Sequence, residues 1–218
     1  MPRRAILPAL AAGLFALAAH AQNEQGIGLA DNKGNFYSVT QRYGNHAYFQ
    51  VTKLSLTGQV QWNVPYDPGT DVSPAALAID PDGNVIVAGT IKDQAGKSVL
   101  LVKFTPGGAM FWNQKRSASG GYAIPTVIVT DYDGNIYVGA TVSESSGSFL
   151  KVMRFNTAGS LYWEQPYRAG RTNYARSMVV DRNGDAHVTV ETYFGDPRFE
   201  NAQVRQVIFT VNGAVVPQ

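Results

Sequence analysis

From residue 76 onward, apolar and polar positions fall into a fixed order of short runs. Ala76-Leu77-Ala78-Ile79 is apolar, Asp80 to Asn84 is a polar turn, and Val85-Ile86-Val87-Ala88-Gly89-Thr90 is a second apolar run rich in β-branched residues. A polar loop from Lys92 to Lys97 leads into a third run, Ser98-Val99-Leu100-Leu101-Val102-Lys103-Phe104. Thr105-Pro106-Gly107-Gly108 then turns the chain into a fourth, Ala109-Met110-Phe111-Trp112-Asn113. The same order returns with residues 135–141, 149–155 and 160–164. Past the N-terminal segment no stretch repeats its apolar positions at the helical period of about 3.6 residues, so the pattern predicts strands and almost no helix.

The order is that of a repeat. Its clearest element is a turn that occurs four times: Asp31-Asn32-Lys33-Gly34-Asn35, Asp80-Pro81-Asp82-Gly83-Asn84, Asp131-Tyr132-Asp133-Gly134-Asn135 and Asp181-Arg182-Asn183-Gly184-Asp185. The leading Asp recurs at steps of 49, 51 and 50 residues. A second element keeps the step, pairing Gly58 with Trp62, Gly108 with Trp112 and Gly159 with Trp163. A four-stranded unit repeated at this period predicts an all-β propeller array, in which each blade buries its apolar faces against its neighbours. Four blades are expected at about 26–66, 74–117, 125–167 and 175–218, forming one domain over residues 22–218.

The shared residues have physical work to do in such a blade. The Asp accepts hydrogen bonds from turn amides, and the Gly takes a backbone angle that costs other residues more. Each Trp is a large plate expected to pack between blades, burying on the order of 200 Å², so that its truncation to Ala costs roughly 3–5 kcal/mol.

These residues carry a resemblance. Leu77 through Thr90, then Leu101-Val102-Lys103-Phe104 and Gly108 to Trp112, resemble the bacterial β-propeller repeat often labelled SBBP and are similar to the broader quinoprotein-like propeller repeats. The match extends over essentially all of residues 22–218, strongest in the second and third copies and weakest in the fourth. The resemblance implies a propeller fold, secretion, and a scaffold or binding role; it brings no catalytic motif and no cofactor.

The fourth copy departs from the pattern. Pro217 stands where the other copies have Trp62, Trp112 and Trp163, and Ile208 stands where they have Lys53, Lys103 and Arg154. The last blade is therefore degenerate. Nor is a strand exchanged between the ends of the array to latch a ring. Four blades are expected to close on themselves or to pair with a second copy as an eight-bladed homodimer, and an open arc is the least expected arrangement because it exposes sheet faces.

The N-terminal segment changes the account of charge and location. Arg3 and Arg4, the apolar stretch from Ala5 to Ala19 and the small-residue site Ala19-His20-Ala21 read as a secretory signal peptide over residues 1–21. The apolar run is shorter than the ~20 residues that span a bilayer, and no later segment is long enough, so no membrane span is expected. The chain has no Cys, hence no disulfide and no cysteine-borne lipid anchor, which suits a bacterial periplasmic or secreted protein held by its core alone. Of 18 Lys and Arg, two lie in the signal segment, leaving 16 against 16 Asp and Glu. The clustered positive charge of a nucleic-acid-binding surface is missing, so no nucleic-acid partner is expected.

Candidate chemistry is sparse. The turns at Asp80 and Asp131 open like a calcium loop, but the Glu required at position twelve is Ile91 in one and Val142 in the other, so turn chemistry is the reading and no metal is expected. Outside the signal segment the His residues are His46, in a polar loop, and His187, at the strand position of Tyr37, Ile86 and Tyr137. Glu191 is placed to share a strand face with His187 and orient it, but no matched nucleophile accompanies them, and no phosphate loop, zinc spacing or Gly-x-Ser-x-Gly is present. No catalytic residue is assigned, and a propeller hydrolase or lyase with an axial site is the alternative by fold analogy.

A binding role rests on the connections between blades, expected at residues 116–125 and 167–176. They bring Arg116, Tyr122, Arg168, Arg171, Tyr174 and Arg176 to the face where the inner strands begin. Arg and Tyr combine contact area with directed hydrogen bonds and so concentrate at the energetic centres of interfaces. The ligand expected there is an acidic or carbohydrate-like molecule or an envelope protein.

Overall fold

The structure, a computed structural model, describes residues 26–94, 96–117, 121–145, 147–196 and 202–217. The signal segment expected at 1–21 lies outside them. Sixteen strands and no helix make up the described chain. Blade 1 holds β1 (Gly26–Ala30), β2 (Phe36–Tyr43), β3 (Ala47–Leu54) and β4 (Val60–Tyr66). Blade 2 holds β5 (Val72–Ile79), β6 (Val85–Asp93), β7 (Gly96–Phe104) and β8 (Met110–Arg116). Blade 3 holds β9 (Tyr122–Thr130), β10 (Ile136–Glu144), β11 (Gly147–Phe155) and β12 (Leu161–Tyr167). Blade 4 holds β13 (Thr172–Val180), β14 (Ala186–Tyr193), β15 (Gln203–Phe209) and β16 (Val215–Pro217). Within each blade the four consecutive strands pair antiparallel, and no strand is exchanged between blades. One parallel pairing, Ser148 with Thr172, joins blades 3 and 4 at the strand edges.

The strands run further than the apolar runs suggest. β6 and β7 stay paired through Lys92 with Lys97 to Asp93 with Gly96, where a polar loop is expected from sequence, because ladder hydrogen bonds are made by backbone groups whatever the side chain. The blade connections shrink for the same reason: Tyr122, Tyr174 and Arg176 stand on inner strands, not in loops.

The first strand of each blade is the inner one. β1 packs on β5, β5 on β9 and β9 on β13, whereas β13 and β1 share at most a marginal contact. Three apolar clusters fill the spaces between consecutive blades. Tyr37, Val39 and Phe49 of blade 1 meet Val87, Leu100 and Val102 of blade 2. Ile86, Ala88 and Leu101 of blade 2 meet Ile136, Val138 and Phe149 of blade 3. Tyr137, Leu150 and Val152 of blade 3 meet Val188, Val190 and Phe209 of blade 4. Each fully buried side chain of this size stabilises the stack by about 1.5–3 kcal/mol, and both faces of blades 2 and 3 are used.

The faces at the two ends of the stack differ. On the leading face of blade 1, the cross-strand pair Ser38–Thr52 replaces Val87–Val102, Val138–Met153 and Val188–Val207. On the trailing face of blade 4, Thr189–Gln206 replaces Val39–Val51, Ala88–Leu101 and Gly139–Val152, and His187 replaces Tyr37, Ile86 and Tyr137. None of these polar residues is buried. The arrangement is an arc of four blades, the one that the sequence disfavours. Its end faces carry polar residues where an inner blade carries apolar ones, so leaving them in water costs little.

Candidate functional site

Each blade closes its first hairpin with the repeated turn. The carbonyl of the leading Asp accepts the amide of the Gly, and the Asp amide donates to the carbonyl of the fifth residue, in all four blades. The Asp side chain completes the turn: Asp80 Oδ1 accepts the Asn84 amide at 2.8 Å and Asp80 Oδ2 accepts Asn84 Nδ2 at 2.8 Å. The Gly residues adopt φ between 78° and 83°, the left-handed region that a side chain disfavours.

The cation on the third strand then reaches this Asp and the next blade together. Lys103 Nζ lies 2.8 Å from Asp80 Oδ2 and donates to the Thr157 carbonyl of blade 3 at 3.0 Å, beside Trp112 Nε1, which donates to the same oxygen at 3.1 Å. Blades 1 and 3 repeat the hold on the next blade: Lys53 and Trp62 hold the Pro106 carbonyl, and Arg154 and Trp163 hold the Val211 carbonyl. The turn Gly of the following blade lies on the Trp, since a Cβ on Gly108 would sit 2.9 Å from Trp62 and one on Gly159 3.1 Å from Trp112. The three Trp are half-buried, less than their size suggests, because one edge of each stays at the blade rim. Ile208 and Pro217 remove the clamp from blade 4, where His187 Nε2 at 3.1 Å takes over as partner of Asp181 and holds its carboxyl below the usual range. His187 thus serves the turn, while the Glu191 expected to orient it pairs with Arg176 at 3.2 Å.

The ends of the inner strands and these turns surround an open recess of ≈ 440 Å³. Blade 1 contributes Asp31, Asn32 and Lys33, blade 2 Asp80 and Pro81, blade 3 Asp131 and Tyr132, and blade 4 Val180. Asp31 is ionised at neutral pH: burial pushes its carboxyl up, but hydrogen bonds from the Asn35 side chain, the Asn35 and Lys33 amides and the Tyr37 hydroxyl outweigh it and leave it lowered. At the calcium-like turns the carboxylate oxygens are occupied by turn donors, and among the described residues no group of three His, Asp or Glu is placed to hold a metal ion.

The sequence-predicted residues lie at the opposite end of the inner strands. Tyr174 meets Tyr193 edge-on with ring centroids 6.1 Å apart. Burial raises the Tyr174 phenol, and the Tyr193 and Tyr122 phenols push it the same way, which places all three tyrosines in one neighbourhood. Arg171 is exposed beside them, its amide held by the Tyr193 carbonyl at 2.8 Å. Arg176 is exposed but engaged with Glu191. Arg168 lies over the Phe149 ring at 3.4 Å and Arg116 over Phe155 at 5.8 Å, so the aromatic faces of blade 3 hold both guanidinium groups. Sequence reasoning missed Tyr193, whose repeat position is shared only by Tyr43 and is Lys92 and Ser143 in the other blades, and Tyr132, visible only as an aromatic at a turn tip. His46, in the polar loop between β2 and β3, is half-buried and hydrogen-bonded to Asp67.

No protein-family model matches the chain, and no curated protein matches it significantly. Solved structures do match. A protein of unknown function from Bacteroides caccae shares 17% identity with a TM-score of 0.56 over 90% of this chain and 61% of its own. An ulvan lyase of polysaccharide lyase family 25, bound to -[GlcA(1-4)Rha3S]-, shares 8% identity with a TM-score of 0.64 over 88% of this chain and 54% of its own. The chain spans between about half and three fifths of those structures. The likeness shows the all-β propeller fold. No helix among the described residues is long and apolar enough to cross a membrane.

Proposed function

We propose that this chain is an exported propeller-repeat binding module that takes an acidic, carbohydrate-like ligand at the end where its inner strands begin. The observation that carries the reading is the cluster of Tyr122, Tyr174 and Tyr193 beside the exposed Arg171. Flat phenol rings suit the apolar face of a sugar ring, and a guanidinium suits a carboxylate or sulfate on it. Tyr122 is 49% exposed, which leaves its ring open to a ligand. Arg176 joins by exchanging Glu191 for the ligand anion, while Arg168 frames the site from its stacked position over Phe149; Arg116, over Phe155, lies away from it. Export rests on the signal-peptide reading of residues 1–21.

The test is calorimetric titration of the purified protein with an oligoglucuronate hexasaccharide and its uncharged glucan counterpart. Preferential binding of the uronate, lost at least tenfold in an Arg171→Ala, Arg176→Ala double variant and in Tyr174→Ala, supports the reading. Unchanged affinity in the double variant overturns it.

A second reading, a lyase or hydrolase, draws support from the ulvan lyase neighbour, which acts on an acidic polysaccharide. Release of new chain ends on incubation with a polyuronate would favour it over the binding module.

A further inference from the structure

The four repeated turns share a frame and differ at their tips. Asp leads each turn and Gly stands fourth, but the two positions between them read Asn32-Lys33, Pro81-Asp82, Tyr132-Asp133 and Arg182-Asn183. If these turns served only to close hairpins, one good tip sequence would suffice for all four. The frame is fixed by its internal hydrogen bonds, and every one of the tip residues is exposed, so the fold leaves their identity free. The tips of blades 1, 2 and 3 line the same recess of ≈ 440 Å³. Variable side chains on a rigid, repeated frame around one concavity is the arrangement by which repeat proteins build binding surfaces.

We propose that this recess is a second binding site, for an uncharged polyhydroxy ligand of the saccharide class. The lining decides the chemistry. Tyr132 is 75% exposed and has no core to fill, so its ring offers a plate to the C–H face of a sugar. Asn32 and Lys33 supply amide and ammonium groups that hydrogen-bond to hydroxyls from the facing blade. Charge is nearly balanced across the lining. Lys103 neutralises Asp80, Arg154 lies 3.8 Å from Asp131, and Lys33 brings one further positive charge to the lining against Asp31. A strongly charged ligand gains little there, whereas a neutral polar one meets matched donors and acceptors. This site is at the other end of the inner strands from Tyr174 and does not depend on it.

The experiment titrates the purified protein with a panel of neutral hexasaccharides of cello-, xylo-, manno- and malto-type, followed by saturation-transfer nuclear magnetic resonance and calorimetry. At least one should bind. Its affinity should fall about tenfold in Tyr132→Ala, the size of one lost stacking contact, be kept in Tyr132→Phe, weaken in Asn32→Ala, and be unaffected by Tyr174→Ala. Because Tyr132 and Asn32 are exposed, unchanged thermal unfolding should accompany these losses. Failure of the whole panel to bind, or binding that Tyr132→Ala leaves intact, overturns the proposal.

Discussion

Lys103 and Asp80 form an ion pair 2.8 Å long in which the two side chains are only 2% and 1% exposed. The pair is the inner end of a chain of contacts from the hairpin turn of blade 2 to the Thr157 carbonyl of blade 3, so a single ammonium ties a turn to its own blade and to the next. Replacing Lys103 by Met leaves Asp80 buried with a charge and no cation. Such a loss costs about 3–5 kcal/mol. Urea unfolding should show it, and the Asp80→Asn, Lys103→Met double variant should recover part of the loss because no bare charge remains. A Lys103→Met protein of unchanged stability would show that the pair is not a structural link.

The contact between each Trp and the next turn Gly gives an internal control. Gly108 and Gly58 occupy the same turn position with φ of 90° and 80°, but a Cβ on Gly108 would meet Trp62 at 2.9 Å while one on Gly58 meets nothing within 4 Å. Gly58→Ala therefore carries only the left-handed backbone penalty of about 1–2 kcal/mol, and Gly108→Ala carries that penalty plus the displacement of a Trp. Denaturant midpoints should rank wild type above Gly58→Ala and Gly58→Ala above Gly108→Ala. Equal losses would mean that the Trp yields freely.

High pH should loosen the interface between blades 3 and 4. Tyr137 is wholly buried, donates its hydroxyl to the Gly184 carbonyl at 2.7 Å, and has its phenol pushed up to about 12, chiefly by burial. A group whose folded value is raised keeps its full contribution below the unfolded value near 10 and loses it as pH rises toward 12. Tyr37, also raised to about 12 by burial and then by Asp31, adds to the same window between blades 1 and 2. Thermal unfolding followed from pH 9 to 12 should decline with rising pH. In Tyr137→Phe the decline should be shallower, from a starting stability about 1 kcal/mol lower for the lost hydrogen bond.

Polar end faces predict solution behaviour. With Thr189, Gln206 and His187 on the trailing face and Ser38 and Thr52 on the leading face, light scattering should give the mass of one chain. Converting Thr189 and Gln206 to Val and Leu restores the apolar pattern of the inner blades and should promote self-association. A wild-type mass of two chains would instead favour the eight-bladed homodimer.

Much of the fold was legible along the chain because its determinants are local. The Asp-x-x-Gly turns, the β-branched runs and the 50-residue step are fixed by hydrogen bonds and alternation within one blade, and each copy confirms the others. The degenerate fourth copy was legible as well, in Ile208 and Pro217, though not its meaning. That meaning needs the carbonyl of the following blade, which a clamp must reach across the stack.

What the sequence determined by itself was the blade: four strands, their turns, and which residues recur. Tertiary structure alone decided what the recurring residues touch, that the stack is an arc with polar end faces, and which unlike residues meet. Tyr122, Tyr174 and Tyr193 come from three strands of two blades, and Asn32, Pro81 and Tyr132 from turns about 50 residues apart. Hydrogen bonding and side-chain alternation act over a few residues and so leave a periodic trace. The gathering of loops and tips around an axis is set by the packing of whole sheets, which no local pattern records.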